Sequence, residues 1–422
     1  MKVLIVGGGG REHAIATAVA KSKKVDKIYC APGNAGIASV AECVPIGVME
    51  FDALASFAEE KNIDLAIIGP DDPLVGGIVD EFEKKGIRTF GPAGNAAILE
   101  GSKAFSKDLM KKYGIPTAAY ETFEDPEAAL SYLESAKMPI VLKADGLALG
   151  KGVLICNTLE EAKEGISTIM IDKKFGKSGN KVVVEEFMTG REVSVLSFVD
   201  GKTIKTMSSA QDHKRAKDND EGLNTGGMGN FSPSPFYTKE VDDFCQKHIY
   251  QATVDAMAAE GRPFRGVIFF GLMLTEDGPK VLEFNARFGD PEAQVVLPRL
   301  ENDITDVMNA CIDGKLSDID LKFSDQAAVC VVLASDGYPE HYEKGFPITG
   351  FDAFDGKDDY FCFHAGTKFD GNNIVTNGGR VLGITALGKD VPEARKKAYE
   401  ATGWIDFANK YMRNDIAASV CK

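Results

Sequence analysis

Four short apolar runs, each closing on glycine or proline, dominate the first hundred residues: "KVLIV", "KIYCA", "LAIIGP" and "IRTFGP". Strands give way to loops at such residues, and helical patterns such as "FDALASFAEEKN" after Met49 lie between the runs. Strand and helix in alternation predict βαβ units and a parallel sheet. Ligands of such sheets sit beyond the carboxyl ends of the strands. The glycines at 7–10, "APGNAG", "GPDDPL" and "FGPAGN" all fall at that edge.

The first run opens into "GGGGREHA", which invites a dinucleotide reading. That fingerprint needs G-x-G-x-x-G and an acid about 20 residues on. Gly7 and Gly9 supply two glycines, but position 12 is Glu; starting from Gly8 and Gly10 puts His13 third. The second run ends "YCAPGN", with no acid to grip a ribose. What remains is a glycine loop at a helix start with Arg11 beside it. Free amides and the helix dipole make that an anion site, the alternative being a plain tight turn.

With 422 residues, two to four domains are expected, and 44% hydrophobic content supplies their cores. A formal charge of −15 argues against nucleic acid as partner, since phosphate backbones need a basic face. Small anions remain possible through a local basic pocket. Eight cysteines show no C-x-x-C pair, Cys330 and Cys362 read as buried apolar residues, and five histidines are too few for a clustered zinc site. A strand from residue 2 leaves no room for a signal peptide, and no apolar run approaches the ~18 residues of a membrane span. A soluble cytoplasmic chain with reduced thiols is expected.

Further on the texture changes. "GSKAFSKDLMKKYG" is a helix ended by Gly114, and "EEAKEGISTIM" is another. "MPIVLKADGLALGKGVLICN" gives two strands around a glycine loop, and "NKVVVEEFMTGREVSVLSFVDG" gives two more. "GVIFFGLMLTEDGPKVLEFNARFG" is a hairpin turning at Asp277, Gly278 and Pro279. Beyond 325 come strands "AAVCVVLAS", "FCFHAGT" and "RVLGITALG", a tight turn at "TNGG", and a helix in "VPEARKKAYEATGWIDF". Residues 208–235 make a long polar loop, the kind that is a functional lid or disordered. His213 within it is taken as a spectator. "DGLALGKG" is not a P-loop: only three residues separate Gly146 from Gly150, and Gly152 stands where Ser or Thr belongs.

The stretch richest in chemistry is "VLEFNARFGDPEAQ". Glu283, Asn285 and Arg287 alternate with apolar residues, which places all three on one strand face. Hard oxygens there suit Mg²⁺, and the guanidinium suits a charged transition state. Lys143, leaving an apolar strand for a glycine loop, suits phosphate. Lys103 alone is unremarkable. The edge Glu185, Glu186, Phe187 and Met188 could hold a flat base and Glu192 a ribose hydroxyl, though an ordinary strand-turn-strand explains them too.

These motifs, with "GGREHA", "APGNAG", "EGSKAFSK", "KADGLALGKGV", "AQDHKR", "NTGGMG", "EFNARFGDPE", "HAGT" and "TNGGRVL" in this order, closely resemble the phosphoribosylamine–glycine ligase family of ATP-grasp enzymes. The resemblance runs from residue 1 to about 415. It implies an α/β and α+β architecture: an amino-terminal parallel-sheet domain at 1–100, an ATP-grasp region at 101–324 with a lid at about 118–188, and a β-rich carboxy-terminal domain at 325–422. It implies ligation of glycine to 5-phosphoribosylamine with ATP and Mg²⁺ or Mn²⁺, by a monomer without membrane or nucleic-acid partners. Lys103 and Lys143 would contact phosphates, Glu185, Glu186, Phe187 and Met188 adenine, Glu192 the ribose, and Glu283 and Asn285 the metal. Arg287 and Asp290, with Lys143, would serve the reacting groups. Gly9, Gly10, Arg11, Glu12, Gly33 and Asn34 would hold the sugar amine. Asp71, Asp212, Lys214, Asn224 and Arg287 would complete the substrate site. The chain departs from the family pattern at Gly8, at Asp71 (where Glu is usual) and at Ala210.

Overall fold

The first apolar run is the central strand of a five-stranded parallel sheet. Its order is Glu42–Cys43, Lys27–Pro32, Lys2–Gly7, Leu65–Ile68, Thr89–Phe90. Val3 and Ile5 enter one core while Leu4 and Val6 enter another, so the sheet is buried on both faces, as a continuous apolar run requires. The chain moves outward in both directions from Lys2–Gly7, which opens a crevice at the carboxyl ends. The computed structural model describes residues 1–148 and 152–421. Residues 149–151 of "DGLALGKG" therefore lie outside the described residues.

Two antiparallel four-stranded sheets follow. The central one runs Ile204–Thr206, Arg191–Asp200, Arg265–Thr275, Gly278–Asn285. Val195 and Phe270 share a core with Leu4 and Val6 of the first sheet. The other runs Tyr120–Phe123, Val182–Glu186, Ile140–Ala144, Val153–Cys156. It has a core of its own, in which Leu142, Val182 and Val184 meet Ile166 and Ile169. The two strands of "NKVVVEEFMTGREVSVLSFVDG" thus belong to different sheets, and the turn between them spans two bodies. In the carboxy-terminal part, Gln211–Asp212, Gly229–Ser232, Ala327–Ser335, Arg380–Gly388 and Tyr360–His364 form a mostly long-range sheet, with Lys410–Tyr411 on Ala327–Ser335.

Several local expectations change. Residues 208–235 are not structureless: they hold the strands Gln211–Asp212, Arg215–Lys217, Glu221–Asn224 and Gly229–Ser232. Their pairing partners lie partly a hundred residues away, so no local apolar alternation marks them. "TNGG" does not close a hairpin, because Asn373–Thr376 pairs with Thr367–Asp370 and Arg380–Gly388 pairs elsewhere. At the "TEDGPK" turn, Gly278 and Pro279 already pair with Thr275 and Leu274, leaving Glu276 and Asp277 as the loop. The last helix, Val391–Thr402, stops before Gly403. Cys362 is half-buried rather than buried.

Candidate functional site

The strand Gly278–Asn285 carries the acidic row to the floor of a cleft. Gly271 pairs with Glu283 and Leu272 with Val281, so Leu282 is the extra residue of a bulge. The Leu282 carbonyl accepts from Lys143 Nζ at 3.0 Å. Glu283 Oε1 accepts from Lys214 Nζ at 3.2 Å. The charges of Lys214, then of Lys143 and Lys103, hold the Glu283 carboxyl down at about 2 against its burial. Asn285 Nδ2 donates to Glu100 Oε1 at 3.0 Å. Arg287 lies two residues past the strand end but faces the same cleft.

Around Arg287 a second network forms. Its Nη2 stands 2.9 Å from Glu100 and 3.8 Å from Asp71. Its Nε is buried and has no hydrogen-bond partner among the described residues. Glu100 also accepts the Ala286 amide at 2.7 Å, and its burial raises its pKa. Asp290 accepts the Arg11 amide at 3.3 Å, accepts Gln294 Nε2 at 2.9 Å and pairs with Arg380 at 3.3 Å. Its pKa is lowered: burial opposes ionisation, and the charges of Arg380 and Arg11 outweigh it.

The phosphate-type lysines come from two elements. Lys103 begins the helix Lys103–Tyr113, capped by the Ser102 hydroxyl, and donates to the Gly146 carbonyl at 2.8 Å. Burial lowers its pKa. Lys143 and Lys107 both grip Glu185 Oε2, at 3.0 and 2.9 Å, while Glu185 Oε1 has no partner. Burial brings Lys107 to about 8. Sequence reasoning missed Lys107 and Glu100, although both sit in the quoted "EGSKAFSK".

Further along, Glu186 accepts the Ala119 amide, Phe187 is exposed, and Met188 packs with Ala118, Met273 and Leu282. An edge of backbone beside an apolar patch can hold a flat ring. Glu192 lies 3.7 Å from Lys214. Asp212, Lys214 and Asn224 reach the cleft from the Gln211–Asp212 strand and the hairpin after it. Burial, then the charge of Glu292, pushes Asp212 well above the usual carboxylate range. His213, taken as a spectator, also lines the cleft; buried, it accepts the Ala417 amide on Nε2.

At the first helix, Gly10–Ala20, the Gly9 and Arg11 donors expected for an anion are already engaged. Gly9 N–H donates to Glu12 at 2.6 Å, and Arg11 N–H donates to Asp290. Arg11 Nε pairs with Glu12 at 2.6 Å. Two carboxylates thus neutralise this helix start. Gly9, Gly10, Glu12, Gly33 and Asn34 do not line the cleft, whereas Arg11 and Asp71 do. Gly33 takes the turn at φ +72°, and Asn34 staples the edge, donating to the Gly8 and His364 carbonyls at 2.9 and 2.8 Å.

All other proposed residues converge on this one cleft of about 1220 Å³, which runs from Phe187 and Met188 to Arg11 and Asp290. Among the described residues no cluster of three or more His, Cys, Asp or Glu could hold a metal alone. Glu283, held ionised, and the amide oxygen of Asn285 nevertheless fit a Mg²⁺-type ion, which takes one or two protein oxygens and fills its shell with water and phosphate.

Residues 1–100 match the family model described as the phosphoribosylglycinamide synthetase N domain, 101–293 its ATP-grasp (A) domain, and 328–419 its C domain. The phosphoribosylamine–glycine ligase of Caldanaerobacter subterraneus is 50% identical over 418 residues, covering 99% of this chain and 100% of that one. That of Brucella melitensis is 47% identical over 416 residues, 99% and 97% of the two chains. The crystal structure of the Thermotoga maritima ligase superposes with a TM-score of 0.85 at 34% identity, over 99% and 100% of the chains. The biotin carboxylase domain of Hydrogenobacter thermophilus 2-oxoglutarate carboxylase gives 0.74 at 17% identity over 97% and 91%, a likeness of fold alone.

Proposed function

The chain belongs to the phosphoribosylglycinamide synthetase family, and we propose that it joins glycine to 5-phosphoribosylamine, converting ATP to ADP and phosphate, in purine biosynthesis. The observation that carries the reading is the single cleft that unites Lys103, Lys143, Glu283, Asn285 and Arg287 with Arg11 and Asp290. It presents phosphate-type cations, a metal-type oxygen pair and a sugar-phosphate end in one continuous space.

A carboxylate oxygen is a poor leaving group, so glycine must first be activated. The glycine carboxylate attacks the γ-phosphorus of ATP, ADP departs, and glycyl phosphate forms. The sugar amine then attacks the carbonyl carbon, the C–O bond to phosphate breaks, and the amine loses a proton. No covalent enzyme nucleophile is needed. Adenine lies along Glu185, Glu186, Phe187 and Met188, with Glu192 at the ribose. Lys103 and Lys143 hold phosphates. Arg287, whose side chain lines the cleft, meets the transferring phosphoryl group with its guanidinium charge. Glu283 and Asn285 hold Mg²⁺ or Mn²⁺, which neutralises phosphate charge when bound.

Arg11, Asp71, Asp212, Lys214 and Asn224 bind the acceptor substrates, and Asp290 orients Arg11. Glu12, Gly33 and Asn34 shape the loops beneath. A phosphate at Gly9 and Gly10 has to displace Glu12 from the Gly9 amide. We divide the chain at 1–100, 101–324 and 325–422, with a lid at about 118–188; the separate core of the Tyr120–Phe123 sheet supports the lid. The eight free cysteines suit a reducing cytoplasm, where we take the chain to act as a monomer. An ADP-release assay tests the function. ADP is expected only when glycine and phosphoribosylamine are both supplied; release with bicarbonate alone contradicts the reading.

A further inference from the structure

Among the described residues, the hairpin Arg215–Lys217 and Glu221–Asn224 pairs with no other strand. It nevertheless brackets the cleft residues Asp212, Lys214 and Asn224. Its tip holds Asn219 and Asp220 in the left-handed region, at φ 60° and 55°. Non-glycine residues keep such backbone only where their surroundings dictate it. What dictates it here comes from the other end of the chain.

Arg413, with its side chain 1% exposed, forks onto Asp415 at 2.7 Å through both Nε and Nη2. Its Nη1 donates to the Arg215 carbonyl at 3.0 Å and to Asp220 at 2.9 Å. Asp415 Oδ2 accepts the Asn219 amide at 2.8 Å. On either side, Tyr411 donates to the Ala216 carbonyl, and Asn414 binds Asp218 through its backbone and side-chain nitrogens. Ala417 reaches His213. Arg413 is therefore the hub of a carboxy-terminal clamp around an otherwise unsupported hairpin. Its fork geometry suits one carboxylate and two further acceptors at once, which a lysine ammonium cannot reproduce.

We infer that Arg413 is a positioning residue of the ligase reaction: by fixing the hairpin it sets where Lys214 and Asn224 meet the acceptor substrates. The inference rests on the ligase reading. The adenine patch at Met188, Met273 and Leu282 takes nothing from this hairpin, but Lys214 at its base also bonds Glu283 and lies 3.7 Å from Glu192, so the larger effect falls on the acceptors and a smaller one on ATP.

The test compares Arg413→Ala, Arg413→Lys and Asp218→Ala with the wild type. Arg413→Ala is expected to raise KM for glycine or phosphoribosylamine at least tenfold, with KM for ATP raised by a smaller factor. Arg413→Lys recovers part of the loss. Asp218→Ala, which removes only the Asn414 contacts and lies outside the cleft, shifts the same KM in the same direction by less. Hydrogen exchange supplies an activity-free readout: amides 213–224 lose protection while those of the lid do not. Equal factors on all three KM values, unchanged KM values, or unchanged hairpin protection overturn the inference. If Arg413→Ala does not fold by circular dichroism, Asp218→Ala and Arg413→Lys decide. A wild type without glycine-dependent ADP release refutes the ligase reading, whereas the exchange result bears on the clamp alone.

Discussion

Glu283 lies among three lysines, and their charges outweigh the burial that would otherwise keep it protonated. Its folded pKa is depressed to about 2 from the ordinary value of 4.5. The stability this contributes is therefore present above about pH 4.5 and is lost as pH falls toward 2. Above pH 5 the carboxylate is a constant charge, so metal activation should show no titration belonging to Glu283. Glu283→Ala is expected to lower turnover by at least ~100-fold at ordinary Mg²⁺; full activity would remove it from the metal site. Arg11→Ala should weaken phosphoribosylamine binding, measured by titration, and leave ATP affinity nearly intact. Equal loss of both would contradict its role. Glu283, Asn285 and Arg287 are legible in sequence because a period of two exposes them. Glu100 is not, since its contacts to Asn285 and Ala286 lie more than 180 residues away.

At the scale of elements, the helix Lys103–Tyr113 was legible from its ends. Ser102 accepts the Phe105 amide, and Gly114 closes the helix at φ 68°. Ser102 also donates to Asp145, beside the glycine loop. Ser102→Ala should cost about 1 kcal/mol in urea unfolding, and an unchanged midpoint would mean the cap contributes nothing. The bulge at Leu282 was not legible. It frees a carbonyl for Lys143, a need set by the neighbouring sheet rather than by local residues. The strands within 208–235 were hidden for a related reason. They are short and polar, and what holds them is the carboxy-terminal tail and the Ala327–Ser335 strand.

For the whole molecule, three buried histidines lie in the packing of the carboxy-terminal domain. His13 Nδ1 accepts the His364 amide at 2.8 Å, joining the first helix to that domain, and His213 accepts from Ala417. Burial lowers them to about 3, 4 and 4 for His13, His213 and His364, from the ordinary value of 6.5. Between pH 6.5 and about 4 the unfolded chain binds protons that the folded chain refuses. Stability should therefore fall on acidification through that window, with a limiting slope of about 1.4 kcal/mol per pH unit for each histidine. Urea unfolding at pH 7.5, 6.5 and 5.5 measures it; a flat or rising stability would contradict the buried neutral rings. The parallel sheet and its ligand edge were readable from four apolar runs, but the seating of one domain on another through His13, Asn34 and Arg413 was not. Each of those contacts joins residues about 200 to 350 apart.

On the proposed reaction, one cleft carries glycine through an acyl phosphate to the amide. Turnover of glycine labelled with ¹⁸O in both carboxylate oxygens, followed by mass analysis of the released phosphate, tests it most directly. One ¹⁸O per phosphate, with the other retained in the product amide, is the expected result. Phosphate free of label would contradict the account.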